Sequence, residues 1–96
     1  MRDIGINFHV VNVTLTSSGS EYTWTPPNGA SEISIQSRTA ADFKMGDTSG
    51  QSGTTYFTVK SGTVWKAGLV SVENEIFYFQ SANNGQVLEI TYFTNP

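Results

Sequence analysis

The sequence predicts an all-β fold: one domain, an antiparallel β-sandwich or jelly roll of seven to eight short strands. Three observations lead there. Apolar residues recur with period two in short runs, turn-forming Gly, Pro, Asn and Ser separate those runs, and no window has the 3.6-residue spacing of an amphipathic helix. Composition agrees, because only 14% of residues are charged and 38% are hydrophobic, leaving the polar balance to Ser, Thr, Asn and Gly. Such a mix, with Tyr 4, Phe 6 and Trp 2, suits strands joined by tight turns. Ninety-six residues leave room for a single core.

Taken in order, Ile4, Ile6, Phe8 and Val10 alternate on even positions, and Val11, Val13 and Leu15 on odd ones. The change of phase predicts either a β-bulge in one strand or two segments with different partners. On the second reading residues 1–10 form an N-terminal strand or arm, and the sandwich domain is 11–96. Ser17-Ser18-Gly19-Ser20 is a turn, and Glu21 to Thr25 a strand with Tyr22 and Trp24 on one face. Pro26-Pro27-Asn28-Gly29 ends that strand, since proline supplies no ladder donor. Glu32 to Arg38 is the next strand, with Ile33 and Ile35 inward and Ser34, Gln36 and Arg38 outward. Ala41, Phe43 and Met45 resume an inward phase past a bend or bulge at Thr39-Ala40.

Gly46 to Gly53 has the small, flexible composition of a protruding, mobile loop tip. Thr54 to Lys60 reads as a strand, followed by Val64-Trp65 and Leu69 to Val72 as further short strands. The last elements are the most legible. Ile76 to Gln80 is β-prone, Asn83-Asn84-Gly85 is turn chemistry, and Val87 to Phe93 alternates in period two. A type I′ turn at Asn84-Gly85 would close a hairpin with Phe79 facing Ile90, Phe77 facing Tyr92 and Ser81 facing Leu88. Its other side would carry Tyr78, with Ile76 and Phe93 at the base.

Several function classes have little support. The net charge is −3 and the five Lys and Arg are scattered, which disfavours nucleic-acid binding. No run approaches the ~20 apolar residues of a membrane span, and Met1-Arg2-Asp3 opens no apolar signal region. The sequence therefore predicts a soluble chain made without a cleaved export signal. Absence of cysteine removes disulfides and thiolate chemistry. His9 is the only histidine, too little for a triad or a zinc site without an unusual carboxylate set. The acid pairs Asp42/Asp47 and Glu73/Glu75 read as solvated turn residues, and Gly46 to Gly53 lacks the Lys-Ser/Thr of a phosphate loop. No enzyme activity, cofactor or metal is expected. Trp24 and Trp65 are candidate platforms for stacking a sugar, as well as candidates for the core. Arg38 is placed to pair with Glu89 or Asp42, or with a carboxylate on another subunit.

Tyr22-Thr23-Trp24-Thr25-Pro26-Pro27-Asn28-Gly29, Ile33 to Arg38, Thr55 to Gly62, Ile76 to Ser81, Gly85 and Glu89-Ile90 together resemble the small β-sandwich virion proteins of tailed bacteriophages, of the capsid decoration (cement) or head-fibre type. The likeness covers most of residues 11–93. It implies a non-enzymatic structural protein of the virion, made in the host cytoplasm and bound to the capsid surface, with the major capsid protein as partner. It also implies a homo-oligomer, commonly a trimer. On that reading the contact residues are Ile4, Ile6 and Phe8 of the arm, Arg38, and the patch Ile76, Tyr78 and Phe93. The alternatives are a carbohydrate-binding or adhesin module using Trp24 or Trp65, and a tail or portal-adaptor component.

Overall fold

The computed structural model describes residues 7–68 and 75–94. Among these residues eight strands run β1 (Asn7–Leu15), β2 (Tyr22–Trp24), β3 (Ser31–Ser37), β4 (Phe43–Gly46), β5 (Phe57–Val59), β6 (Val64–Ala67), β7 (Phe77–Gln80) and β8 (Gln86–Thr94), with a 3₁₀ turn at Gln51–Gly53. They form two antiparallel four-stranded sheets, β1-β8-β3-β6 and β2-β7-β4-β5. Pairs β1·β8, β2·β7, β3·β6 and β4·β5 all occur, as in a long antiparallel ribbon bent at the β4–β5 loop and wound into two layers. Every step along the chain changes sheet except β4 to β5, which is the connectivity of a jelly roll. No helix among the described residues is long and apolar enough to cross a membrane.

The core lies between the layers. Ile33 and Ile35, Phe43 and Met45, Phe77 and Phe79, and Leu88 and Ile90 are each buried two apart, as the pleat demands, and Leu15 and Val59 join them. Burying each such side chain contributes about 1.5–3 kcal/mol. One end of the core is closed by an aromatic chain. His9 stacks on Tyr92 (4.8 Å), Tyr92 tilts against Trp24 (5.7 Å), Trp24 stacks on Phe77 (6.2 Å) and Trp65 meets Phe77 edge-on (5.4 Å).

Four sequence expectations need correction or completion. The C-terminal hairpin does not form: Phe79 pairs with Tyr22 and Met45 in one sheet, Ile90 with Val11 and Ile35 in the other. A type I′ turn needs two residues at positive φ, and only Gly85 (φ 74°) has it. The turn instead serves the neighbouring β1–β2 connection. Gly85 N–H donates to the carbonyls of Leu15 (2.9 Å) and Thr16 (3.1 Å), and Asn84 Oδ1 accepts from Ser18 N–H (2.7 Å). Two sheet-changing arches thus stack side by side. The inward parity of Phe77, Phe79, Leu88 and Ile90 survives, because both strands face the core from opposite layers.

The phase change at Val10 is neither a bulge nor a boundary. Asn7 to Leu15 is one strand paired with β8 in unbroken register, so residues 7–10 belong to the sandwich and not to an arm. Odd positions face inward, and Phe8 and Val10 simply stand on the outer side. The bulge lies elsewhere, in β3 between Ser31 and Ser34 against β8, where Glu32 takes φ 49°. The strand expected over Thr54 to Lys60 is shorter, Phe57–Val59. Residues 1–6 and the strand expected at Leu69 to Val72 lie outside the described residues.

Candidate interaction surface

Alternation along the strands gives each sheet an outer face, and the two differ. On the second sheet the outward positions include Lys44, Gly46, Tyr78 and Gln80. The loop after β4 folds back over them. Glu21, just before β2, holds it down: its carboxylate accepts from Gly50 N–H (2.9 Å), Ser52 N–H (3.4 Å) and the Ser52 hydroxyl. Ser52 is fully buried as a result. Gln51 Oε1 accepts from Asp47 N–H (2.6 Å), and Gly50 supplies the positive φ (83°) that turns the chain into the 3₁₀ segment. Glycine at 46 makes room, since a Cβ there would overlap the Gln51 side chain. The hydroxyl of Ser52, then the Gly50 amide, hold the Glu21 carboxyl below its ordinary value of 4.5. The expected protruding tip is therefore a docked flap, fastened by a residue about thirty positions upstream.

Among the described residues no segment folds over the first sheet in this way. Its outward residues fall into cross-strand rows: Phe8 opposite Phe93, Val10 opposite Thr91 and Ser34, and Asn12 opposite Glu89 and Gln36. Phe8 and Val10 are 59% and 57% exposed, and Phe8 packs against Phe93 with centroids 5.3 Å apart. The other end of the face is polar. Gln36 Nε2 and Arg38 Nε each donate to Glu89 at 2.9 Å, an exposed network that lowers the Glu89 pKa, Gln36 contributing most and Arg38 next. Arg38 thus has the intramolecular partner foreseen for it.

The remaining site candidates separate. Ile76 is exposed just before β7, and Tyr78 is half-buried on the outer face of the second sheet, whereas Phe93 is on the outer face of the first. The three do not form one patch, because the hairpin that would have joined them does not exist. Ile4 and Ile6 lie outside the described residues. His9 is half-buried, with Nε2 hydrogen-bonded to Thr94 Oγ1 at 2.9 Å. Asp42 accepts from Ser61 N–H (2.6 Å) at the start of β4, and Asp47 stands at its other end. Glu73 lies outside the described residues. Among the described residues no three His, Cys, Asp or Glu side chains are grouped to hold a metal ion.

Both tryptophans belong to the aromatic chain. Trp65 also walls an open cleft of about 400 Å³ at the β5–β6 side of the sandwich, with Met45, Phe57 and Phe77 as apolar lining and Asp47, Gln51 and Glu75 as polar lining. Val10 is an exposed apolar residue of this face that the sequence reading did not single out. Its parity relative to the buried Leu15 shows that it points outward. No protein-family model matches this chain, and no curated protein matches it in sequence.

Proposed function

We propose that this chain is a non-enzymatic structural protein that attaches to an assembled virus shell, as capsid decoration proteins do, with the major capsid protein and further copies of itself as partners. Its place is then the virion surface, reached after synthesis in the host cytoplasm. The observation that carries this reading is the outer face of the first sheet, where Phe8, Val10 and Phe93 gather at one end and the Gln36–Glu89–Arg38 network occupies the other. An apolar patch flanked by hydrogen-bonded polar groups has the anatomy of a protein contact. Such a patch is small, but on a lattice of identical subunits many weak attachments add through avidity. The test is rebinding to purified shells lacking the protein, followed by co-sedimentation. Saturable binding that falls at least tenfold in Phe93→Ser is expected; wild-type protein that stays in the supernatant would refute the reading.

Sugar binding is the second reading, favoured by the Trp65 cleft, where aromatic surface adjoins carboxylate and amide acceptors. Trp24, stacked on Phe77, takes no part in lining it. Titration of tryptophan fluorescence with oligosaccharides separates the readings. A saturable change lost in Trp65→Ala supports sugar binding, and a flat titration removes it.

A further inference from the structure

Among the described residues each sheet has two edge strands, and three of the four carry features that discourage pairing with another chain. Strand β2 is three residues long and runs into Pro26-Pro27. Strand β5 is also three residues, with Lys60 at its end. Strand β6 has four residues and bears the exposed Lys66. Strand β1 is different: Asn-Phe-His-Val-Val-Asn-Val-Thr-Leu spans nine residues without a Lys, Arg, Asp, Glu or Pro, and no bulge breaks its register with β8. An edge that long and uncharged presents a ladder of backbone donors and acceptors to any strand of matching length.

We propose that the β1 edge pairs antiparallel with the β1 edge of a second copy of this chain, across a two-fold axis perpendicular to the sheet, so that two four-stranded sheets become one of eight. An antiparallel strand edge is complementary to itself, which makes a second copy the occupant the geometry favours. The exposed side chains agree. A register centred on His9 pairs residues 7–11 of the two copies, sets Phe8 of each beside Val10 of the other, and each Phe8 already rests on Phe93. The two most exposed apolar side chains of β1 are then gathered into one patch continuous from Phe93 of one copy to Phe93 of the other. This register also keeps both bare faces on the same side, doubling the surface offered to a flat partner. It gives a two-fold pair in place of the trimer that the resemblance implies. The inference deepens the self-association part of the proposed function and is independent of the shell.

The test uses the full chain in solution. Because the protein has no cysteine, single-cysteine variants report on one position each. Residues facing themselves across the axis have Cα atoms about 4.5–5.5 Å apart, within disulfide range. His9→Cys should cross-link rapidly on mild oxidation, and faster than Val10→Cys, Val11→Cys or a Thr23→Cys control on the other sheet. Sedimentation at about 100 µM should give twice the 10.5 kDa chain mass, and Val10→Lys should weaken that dimer at least about tenfold with its circular dichroism unchanged. A wild-type monomer at that concentration, or cross-linking on β1 no faster than in the control, overturns the proposal. Neither measurement involves shells, so its failure leaves shell attachment standing, and failed shell attachment leaves the dimer standing.

Discussion

Among the described residues the two outer faces of the sandwich differ: the chain's own loop folds over part of one, and no described segment folds over the other. Over the second sheet, the β4–β5 loop is fastened by Glu21, buries Ser52 and covers the Gly46 and Gln80 end of that face, while Thr23 and Tyr56 stay exposed. Over the first sheet, Phe8 and Val10 stand more than half exposed, with Phe93 beside them. The difference follows from connectivity. Within one sheet only β4 and β5 are consecutive, so among the described connections theirs is the loop that stays with one layer and can fold back over it.

The sharpest way to break the comparison is to lift the flap. Gly46→Val places side-chain atoms where the Gln51 side chain lies, and overpacking of this kind costs about 1–3 kcal/mol. Chemical denaturation should register that loss, and limited proteolysis should cut between 47 and 55 before any strand. Glu21→Ala is milder for the backbone. It removes the acceptor of the Gly50 amide and leaves the buried Ser52 hydroxyl only its longer contact with Gln80 Oε1 (3.4 Å), for about 1–2 kcal/mol, with the same cleavage site newly exposed. A variant that resists protease as the parent does would show that the flap is held by something else.

Glu21 also gives the covered face a pH signature. Its folded pKa lies below the ordinary 4.5 because the Ser52 hydroxyl and the Gly50 amide favour the carboxylate. The folded state then binds the proton less readily than the unfolded chain. Its contribution to stability is complete above pH of about 4.5 and fades as pH falls through the lowered folded value. Glu21→Gln should flatten the stability–pH curve in that acid range while Glu89, also lowered, keeps part of the slope. A curve as steep as the parent's would remove Glu21 as the fastening.

How much of this was legible in the sequence depends on range. Inward positions are local: Ile33/Ile35, Phe43/Met45, Phe77/Phe79 and Leu88/Ile90 can be read from period two alone, and all are buried. Pairing is not local. Phe79 and Ile90 keep their parity whether β7 pairs with β8 or crosses to the other layer, so the alternation that suggested a hairpin fits a sheet-changing arch equally well. Asn84-Gly85 tipped the reading toward the hairpin, but only Gly85 adopts the left-handed conformation. The N-terminal phase change misled for another reason. Alternation is interpreted by assuming a polar outer side, and the outer side of β1 begins with the apolar Phe8 and Val10. The Glu21–Ser52 link had no signal, because nothing in either residue's neighbourhood specifies a partner about thirty positions away.

The smallest effect sharpens the comparison most. If the bare face serves a partner, its apolar residues contribute little to the isolated fold, since a side chain already 59% exposed loses little burial when shortened. Phe8→Ser should therefore change unfolding free energy by less than about 1 kcal/mol, well under Gly46→Val, while shell attachment in the co-sedimentation assay falls at least tenfold. The two readouts must diverge. A residue held for internal packing loses stability and attachment together, whereas one held for contact loses attachment alone. Equal losses in both would place Phe8 with the packing residues, and the asymmetry between the two faces would then describe only how the chain covers itself.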